Sequence, residues 1–244
     1  MTIWQHPQGF PPLKNSQVHL WRANLALSTS KIEELSASLS ADEMVRASRF
    51  HFVQHQHRFI ATRGILRQLL GNYLKVSPLS LIFAYSDRGK PRLAADSALQ
   101  FNISHSEEYA LFGFTLNHLI GVDLEYQKPM TEAVKIAQRF FSPREFKILE
   151  ATPQKEQARL FFRFWTAKEA YLKAIGTGLS GSLAEVEVIM DESQSRYLLT
   201  LPEAHPGNTS WSLYPCSPEI NYLGAIAIND HIPPQQISYW HWSA

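Results

Sequence analysis

Cysteine is almost absent from this chain: Cys216 is the only one among its 244 residues. A single cysteine cannot form an internal disulfide, which suits a reducing compartment, and we interpret Cys216 as a small, half-buried hydrophobic residue. The first residues lack the charged and apolar segments of a signal peptide, and no apolar run is long enough to cross a bilayer. We therefore expect a soluble, cytoplasmic protein without a membrane partner.

An excess of charge of one sign is also missing. Lysine and arginine number 23 against 22 aspartate and glutamate residues, which gives a formal net charge of +1. A general nucleic-acid-binding protein usually has a basic excess, so we expect no nucleic-acid partner, although this balance still allows a local basic pocket.

Several catalytic signatures are missing as well. The chain has no clustered histidine and cysteine spacing of the kind that indicates zinc. It has no P-loop and no G-x-S-x-G elbow, and its one G-x-G-x-x-G spacing, at residues 176–181, follows a predicted helix and not the strand that a dinucleotide-binding loop requires. Zinc sites and serine-hydrolase chemistry are therefore not expected.

The chain does have apolar residues in abundance, 45% of the total, which is enough for a substantial core in one large domain or two small ones. Helical and strand-like patterns are mixed along its length, so we predict an α+β fold. The sequences of residues 58–71 (RFIATRGILRQLLG) and 163–176 (RFWTAKEAYLKAIG) also resemble each other, with Arg63 opposite Lys168.

This internal similarity suggests two related α+β halves, residues 1–117 and 118–244, with a ligand site in the cleft between them. The alternative is a coincidental likeness between two amphipathic helices.

Carboxylates are concentrated in two short segments. In a strand over residues 120–126, Asp123 and Glu125 leave the same face and repel each other unless a cation or proton neutralises them. In the long helix predicted over residues 156–175, Glu169 and Lys173 share one stripe. Oxygen ligands in this number suit a hard cation such as Mg²⁺. The alternatives are a solvated strand face and a helix with surface salt bridges.

Five motifs then carry a resemblance to a known family. They are, in chain order, Gly89-Lys90-Pro91, residues 101–106 (FNISHS), residues 121–125 (GVDLE), Phe140-Phe141-Ser142, and residues 165–170 (WTAKEA) followed by Lys173. Between residues 42 and 182 the chain resembles the 4′-phosphopantetheinyl transferases of the large, surfactin-synthetase-activating type.

The resemblance implies an enzyme that transfers the 4′-phosphopantetheine arm of coenzyme A to a serine of an apo carrier protein. The carrier would be of the acyl, peptidyl or aryl type, and adenosine 3′,5′-bisphosphate would be released. The implied cofactor is Mg²⁺, with Mn²⁺ as a substitute. The implied fold is a monomer of two similar, pseudo-twofold-related α+β halves with coenzyme A between them, in agreement with the internal repeat.

By position, the resemblance also assigns site residues. The metal ligands would be Asp123, Glu125 and Glu169, and the catalytic residues would be Asp123, Glu169 and Lys173. Eight residues would bind coenzyme A: Arg46, Arg63, Lys90, Pro91, Ser104, His105, Lys168 and Lys173. Glu43 stands where some family members carry a basic residue, which leaves the contacts with the 3′-phosphate in the first half less defined.

The serine hydroxyl must lose its proton during attack, and Glu169 is the candidate base, either directly or through a metal-bound water. Two other functions stay open at this stage. One is a coenzyme A or nucleotide-binding protein without transfer activity, and the other is a magnesium-dependent pyrophosphate hydrolase. The presence of all three carboxylates, together with the motifs at residues 89–91 and 101–106, favours the transferase.

Overall fold

The computed structural model describes residues 2–178, 183–202 and 210–244, in which six α-helices and eleven strands are found. The helices are α1 (Thr29–Ser36), α2 (Ala41–Ser48), α3 (Val53–Leu74), α4 (Ala133–Phe140), α5 (Pro143–Ala151) and α6 (Gln154–Ile175). The strands are β1 (Val18–Asn24), β2 (Phe83–Tyr85), β3 (Pro91–Leu93), β4 (Leu99–Ser106), β5 (Tyr109–Leu116), β6 (Ile120–Tyr126), β7 (Glu187–Asp191), β8 (Arg196–Thr200), β9 (Ser212–Cys216), β10 (Tyr222–Ile228) and β11 (Ile237–His241). Within these ranges, no helix has the length and apolar character needed to span a membrane.

The first sheet has the strand order β11-β1-β5-β4, and β2 and β3 form a separate two-stranded ribbon. Strands β4 and β5 form an antiparallel pair, β5 also pairs antiparallel with β1, and β11 pairs parallel with β1. Helix α3 covers this sheet and contributes a row of buried side chains to its core, including Ile65, Leu66 and Leu69.

The second sheet has the order β6-β10-β9-β8-β7, and all of its neighbouring strands are antiparallel. Helix α6 packs against β6 and β10. A third group of buried side chains joins the two sheets, with Val18 and Leu20 from β1 facing Val122 and Ile226 of the second sheet. Cys216 belongs to this group and is 3% exposed, so it is more deeply buried than we expected.

The two similar α+β halves expected from the sequence are confirmed. Helices α3 and α6 each have 22 residues and each cover one sheet. The short helices α2 and α5 each begin with a Ser-x-x-Glu capping box, in which the glutamate accepts the backbone N–H of the serine. These glutamates are Glu43 in the first half and Glu145 in the second.

The last strand departs from the division that we expected at residue 117. Residue 117 lies between β5 and β6, whereas β11 belongs to the sheet of the first half although it comes after all the strands of the second sheet. The sequence pattern of residues 237–241 predicts no partner, and pairing between strands so distant in sequence leaves no local signal. The first half is therefore built from both ends of the chain.

Strands β4 and β6 lie side by side as edge strands of different sheets, and side chains join them instead of backbone pairing. Alternate residues of β4 accept the backbone N–H groups of alternate residues of β6. The three bonds are Val122 N to Asn102 Oδ1 (2.9 Å), Leu124 N to Ser104 Oγ (3.2 Å) and Tyr126 N to Ser106 Oγ (3.1 Å). We call this set the side-chain ladder. It fixes the register of the two sheets at the place where the acidic residues of β6 emerge.

Candidate active site

The side-chain ladder holds Asp123 in position. Asp123 is 4% exposed, and its Oδ1 accepts hydrogen bonds from Ser104 Oγ at 3.1 Å and from Lys173 Nζ at 2.5 Å. Burial raises the pKa of the Asp123 carboxyl, while Lys173 and Ser104 oppose that rise. The other carboxylate oxygen, Oδ2, is buried and has no hydrogen-bond partner among the described residues.

Helix α6 brings Glu169 to the same place because it approaches β6 very closely. A Cβ added to Gly121 of β6 would lie 1.9 Å from the carbonyl oxygen of Ala170 and 2.4 Å from the nitrogen of Ala174. Only a residue without a side chain allows this contact, so Gly121 sets the distance between the helix and the strand. Glu169 and Lys173 lie one turn apart on the helix beside this contact.

The three carboxylates influence one another. Burial, followed by the charges of Asp123 and Glu125, raises the pKa of Glu169 to about 7, and Lys173 opposes the rise. Burial and the charge of Asp123 also raise the pKa of Glu125, against a 3.0 Å hydrogen bond from Ser106 Oγ. Crowded carboxylates of this kind gain stability from a proton or a cation.

The donor set fits a Mg²⁺ ion. Asp123 Oδ2 and Glu169 Oε1 are buried carboxylate oxygens that lack a hydrogen-bond partner among the described residues, and hard cations bind to such oxygens. No three acidic, histidine or cysteine side chains in the described ranges already surround a common cation position. Instead, the ammonium of Lys173 neutralises Asp123, so a bound ion would require the side chains to turn towards it.

A pocket of about 470 Å³ opens beside these carboxylates, between the two halves. Eight of the residues expected from the sequence line it: Arg46, Arg63, Lys90, Pro91, Ser104, His105, Glu169 and Lys173. The first half contributes most of the positive charge through three arginines, which include Arg88, and Lys90, whereas α6 contributes Glu169 and Lys173. The pocket therefore combines a basic wall with an acidic edge.

Two of these residues have structural contacts that the sequence does not predict. Lys90 Nζ donates to the carbonyl oxygens of Ala174 at 2.8 Å and Ile120 at 3.3 Å, and burial lowers its pKa to about 8. Lys90 thus ties the β2–β3 turn to the end of α6. The Ser104 hydroxyl donates to Asp123 and accepts from Lys173 Nζ and from the backbone N–H of Leu124. In this structure it orients Asp123 and Lys173.

Lys168 does not lie where we expected it. Its side chain is completely buried on the side of α6 that faces away from the pocket, where Nζ is 2.7 Å from Glu145 Oε2 and also bonds the carbonyl oxygens of Leu183 and Val186. Adjacent residues of a helix point about 100° apart, so Lys168 cannot share the direction of Glu169. Lys168 is therefore not among the residues that line the pocket, and its assignment to coenzyme A has no support from this arrangement.

Sequence reasoning also missed several residues that shape the site. Asn102 and Ser106 complete the side-chain ladder, and Arg67 pairs with Glu43 behind the basic wall. The alternation Asn-x-Ser-x-Ser within residues 102–106 could have indicated a polar face on β4. No comparable sequence signal predicts the partner of Arg67.

The pocket between the two halves combines basic side chains with a carboxylate, and the comparisons with known proteins give the class of transferase and the family. The model of the 4′-phosphopantetheinyl transferase superfamily matches residues 119–227, and that of the N-terminal part of 4′-phosphopantetheinyl transferases matches residues 24–114.

Several curated proteins are similar to this chain. The 4′-phosphopantetheinyl transferase HetI of Nostoc sp. is 42% identical over 233 residues, which covers 94% of each chain. A putative 4′-phosphopantetheinyl transferase of Synechocystis sp. is 41% identical, covering 72% of this chain and 71% of its own. The 4′-phosphopantetheinyl transferase Sfp of Bacillus subtilis is 28% identical, covering 73% of this chain and 78% of its own.

The chain belongs to the 4′-phosphopantetheinyl transferase family, as the resemblance of its motifs indicated. It is an enzyme of the kind that transfers the phosphopantetheine arm of coenzyme A to carrier proteins, so the activity expected from the sequence is confirmed.

Proposed function

We propose that the chain transfers 4′-phosphopantetheine from coenzyme A to a serine of an apo carrier protein with the help of Mg²⁺ held by Asp123, Glu125 and Glu169. The observation that carries this proposal is the pair of unpartnered, buried carboxylate oxygens on Asp123 and Glu169 at the edge of a basic pocket. When bound, Mg²⁺ would neutralise the charge of the pyrophosphate and orient the leaving group.

In the transfer, the serine oxygen of the carrier forms a bond to the phosphorus that bears the pantetheine arm. The bond from that phosphorus to the bridging oxygen breaks, and adenosine 3′,5′-bisphosphate leaves. Lys173 faces the pocket, its side chain is 30% exposed, and its ammonium can reach a phosphate oxygen as a point charge. Lys173 thus balances the negative charge that builds up on the leaving phosphate.

Glu169 is suited to receive the proton of the serine hydroxyl. The pKa of about 7 belongs to the metal-free protein, and a bound cation would lower it, so the case for Glu169 as the base rests on its position. Its carboxylate lines the pocket, whereas Asp123 lies behind Ser104 and Lys173. This arrangement favours Glu169 over Asp123 as the group that contacts the attacking hydroxyl.

The basic wall formed by Arg46 and Arg63 would hold the phosphates at the nucleotide end of coenzyme A, with His105 at the exposed rim. Both halves of one chain line the pocket, so the proposed site needs no residue from a second copy, and a monomer is the proposed working unit. The single cysteine is consistent with a cytoplasmic location.

The test is incubation of the purified protein with coenzyme A, an apo acyl carrier protein and Mg²⁺, followed by intact-mass measurement of the carrier. The expected result is the gain of one phosphopantetheine group, which disappears when EDTA removes the metal. Release of nucleotide without modification of the carrier would instead indicate a hydrolase. Equal transfer with and without EDTA would remove the metal from the proposal.

The same assay separates the carboxylates. Asp123→Asn keeps the shape of the side chain and removes its charge, so we expect transfer to fall by about a hundredfold or more and Mn²⁺ binding to weaken in a metal titration. Glu150→Gln, on the exposed face of α5, is the matched control and should behave like the parent protein. Unchanged Mn²⁺ binding by Asp123→Asn would exclude it as a ligand.

A further inference from the structure

The two halves use the same buried ion pair in different ways. In the second half, the capping-box glutamate Glu145 pairs with Lys168 of α6 at 2.7 Å, and both side chains are 0% exposed. The Lys168 ammonium also has two carbonyl acceptors, so all of its donors are in use. Glu145 and Lys168 therefore neutralise each other in the core, and neither side chain lines the pocket.

In the first half, the equivalent glutamate has two arginines near it. Glu43 corresponds to Glu145, and Arg63 corresponds to Lys168 in the aligned helices. However, the close partner of Glu43 is Arg67, whose Nε lies 2.6 Å from Oε2, while Arg63 Nε lies 3.9 Å from Oε1. Arg67 has taken the place that Lys168 fills in the second half.

Arg67 is bound on its other side as well. Its Nη1 donates to the carbonyl oxygens of Pro78 at 2.8 Å and Leu81 at 3.0 Å, and the residue is 1% exposed. A guanidinium can satisfy a carboxylate and two carbonyls together because its donors point in fixed, different directions. The position of Arg67 in the second half is occupied by Leu172, which can form no such bonds.

Arg63 is consequently left with spare bonding capacity beside the pocket. It is 5% exposed, and its Nη1 is buried without a hydrogen-bond partner among the described residues. Its guanidinium lies 5.9 Å from the ring centre of Phe59, 5.8 Å from that of Phe83 and 5.7 Å from that of Tyr85, and Nη2 donates to the Tyr85 hydroxyl at 3.3 Å. These rings hold the guanidinium in place without neutralising its charge.

We infer that Arg67 is a positioning residue, which holds Oε2 of Glu43 so that Arg63, at 3.9 Å from Oε1, keeps its Nη1 available to bind an anion in the pocket. The inference rests on the proposed function, because it takes the nucleotide end of coenzyme A as that anion. Two arginines share one carboxylate, so the first half carries one positive charge that Glu43 does not neutralise. The second half, with one lysine for one glutamate, has no such excess. This difference makes one wall of the pocket basic although the scaffold is repeated.

The test is Arg67→Leu, which gives the first half the residue that the second half has at this position. Glu43 would then attract Arg63, as Glu145 attracts Lys168, and the pocket would lose a cation. We expect the Kd of adenosine 3′,5′-bisphosphate, measured by calorimetry without metal, to rise about tenfold, as expected for the loss of one charge-assisted hydrogen bond. The KM for the carrier should not change. The exposed Arg159→Leu in α6 is the matched control.

A second variant separates positioning from simple damage. In Arg67→Leu combined with Glu43→Gln, Arg63 has no carboxylate to pair with, so bisphosphate binding should recover to within about threefold of the parent value. Failure of the double variant to recover, or an unchanged Kd in the single variant, would overturn the inference.

Should Arg67→Leu fail to fold, Arg67→Lys provides the comparison. A single ammonium cannot hold Glu43 and both carbonyls in the same geometry, so weaker bisphosphate binding with rescue by Glu43→Gln is again expected. Parent-like binding by Arg67→Lys alone would count against the inference. If the parent protein binds no bisphosphate at all, the proposed function itself fails, whereas equal binding by parent and variants rejects only the role of Arg67.

Discussion

The ammonium of Lys173 lies 2.5 Å from Oδ1 of Asp123, where helix α6 crosses strand β6. This ion pair places a basic group in the middle of three carboxylates whose pKa values are all raised. Lys173 therefore balances part of the negative charge that a metal ion would otherwise balance. In the reaction that we propose, a metal ion bound to Asp123 would make the same ammonium available to the phosphates of coenzyme A.

The raised pKa of Glu169 predicts how the stability of the metal-free protein depends on pH. The pKa is 4.5 for an ordinary glutamate and about 7 here, so the folded protein keeps a proton that the unfolded chain releases. The contribution of Glu169 to the free energy of unfolding is therefore fully present below pH 4.5, and it is lost as the pH rises towards 7. The total loss is at most about 3 kcal/mol.

Urea denaturation in EDTA at several pH values measures this effect. Glu169→Gln lacks this titrating group, so its unfolding free energy should not show the loss between pH 4.5 and 7. The variant should therefore gain stability relative to the parent protein as the pH rises through this range. Asp123 and Glu125 titrate in both proteins and largely cancel in the difference. Parallel curves would show that Glu169 has an ordinary pKa.

The side-chain ladder predicts unequal effects for two similar serines. Ser104→Ala leaves the buried N–H of Leu124 without its acceptor and removes a donor from Asp123, so we expect a loss of about 1–3 kcal/mol in unfolding free energy. Ser106→Ala should cost less, because the N–H of the exposed Tyr126 can bond to water. Equilibrium denaturation of both variants provides the comparison, and equal losses would contradict this account of the ladder.

Gly121 predicts a strong effect of the smallest possible substitution. The methyl group in Gly121→Ala would collide with the backbone of α6, so the helix must move away from β6 and carry Glu169 and Lys173 with it. We expect a loss of about 1–3 kcal/mol in stability from overpacking and a fall in transfer of at least tenfold. Gly9→Ala has open space around the new methyl group and is the control. Full activity in Gly121→Ala would mean that the helix position does not matter.

The buried position of Lys168 predicts that its replacement lowers stability without weakening the binding of coenzyme A. Lys168→Met leaves Glu145 buried and unpaired, which typically costs about 3–5 kcal/mol. The folded protein should nevertheless keep its KM for coenzyme A, because the side chain of Lys168 is buried away from the pocket. Thermal unfolding and steady-state kinetics measure the two quantities. A raised KM at unchanged stability would return Lys168 to the binding site.

The chain carries much of this arrangement in local patterns. The alternation of β6 places Asp123 and Glu125 on one face, the helical spacing places Glu169 beside Lys173, and the capping boxes mark where α2 and α5 begin. These features depend on neighbours in sequence, so a sequence can reveal them.

What the sequence does not reveal depends on distant contacts. Lys168 and Glu169 are adjacent in one motif, yet only one faces the pocket, because the other meets a glutamate from α5 that lies in the core. Arg67 pairs with Glu43 across two helices, and no motif marks that pair. A prediction from charge alone therefore includes Lys168, which does not line the pocket. It also misses Arg67, which orders the basic wall.

Strand β11 also determines the order in which the two sheets can be completed during synthesis. Arg22 of β1 is paired in register with His241 of β11, 219 residues later. A growing chain therefore has all five strands of the second sheet available, from β6 to β10, before the first sheet receives its last strand. Until then β1 has an open edge, which is exposed to pairing with other chains. The first half to be synthesised is thus the last to be completed.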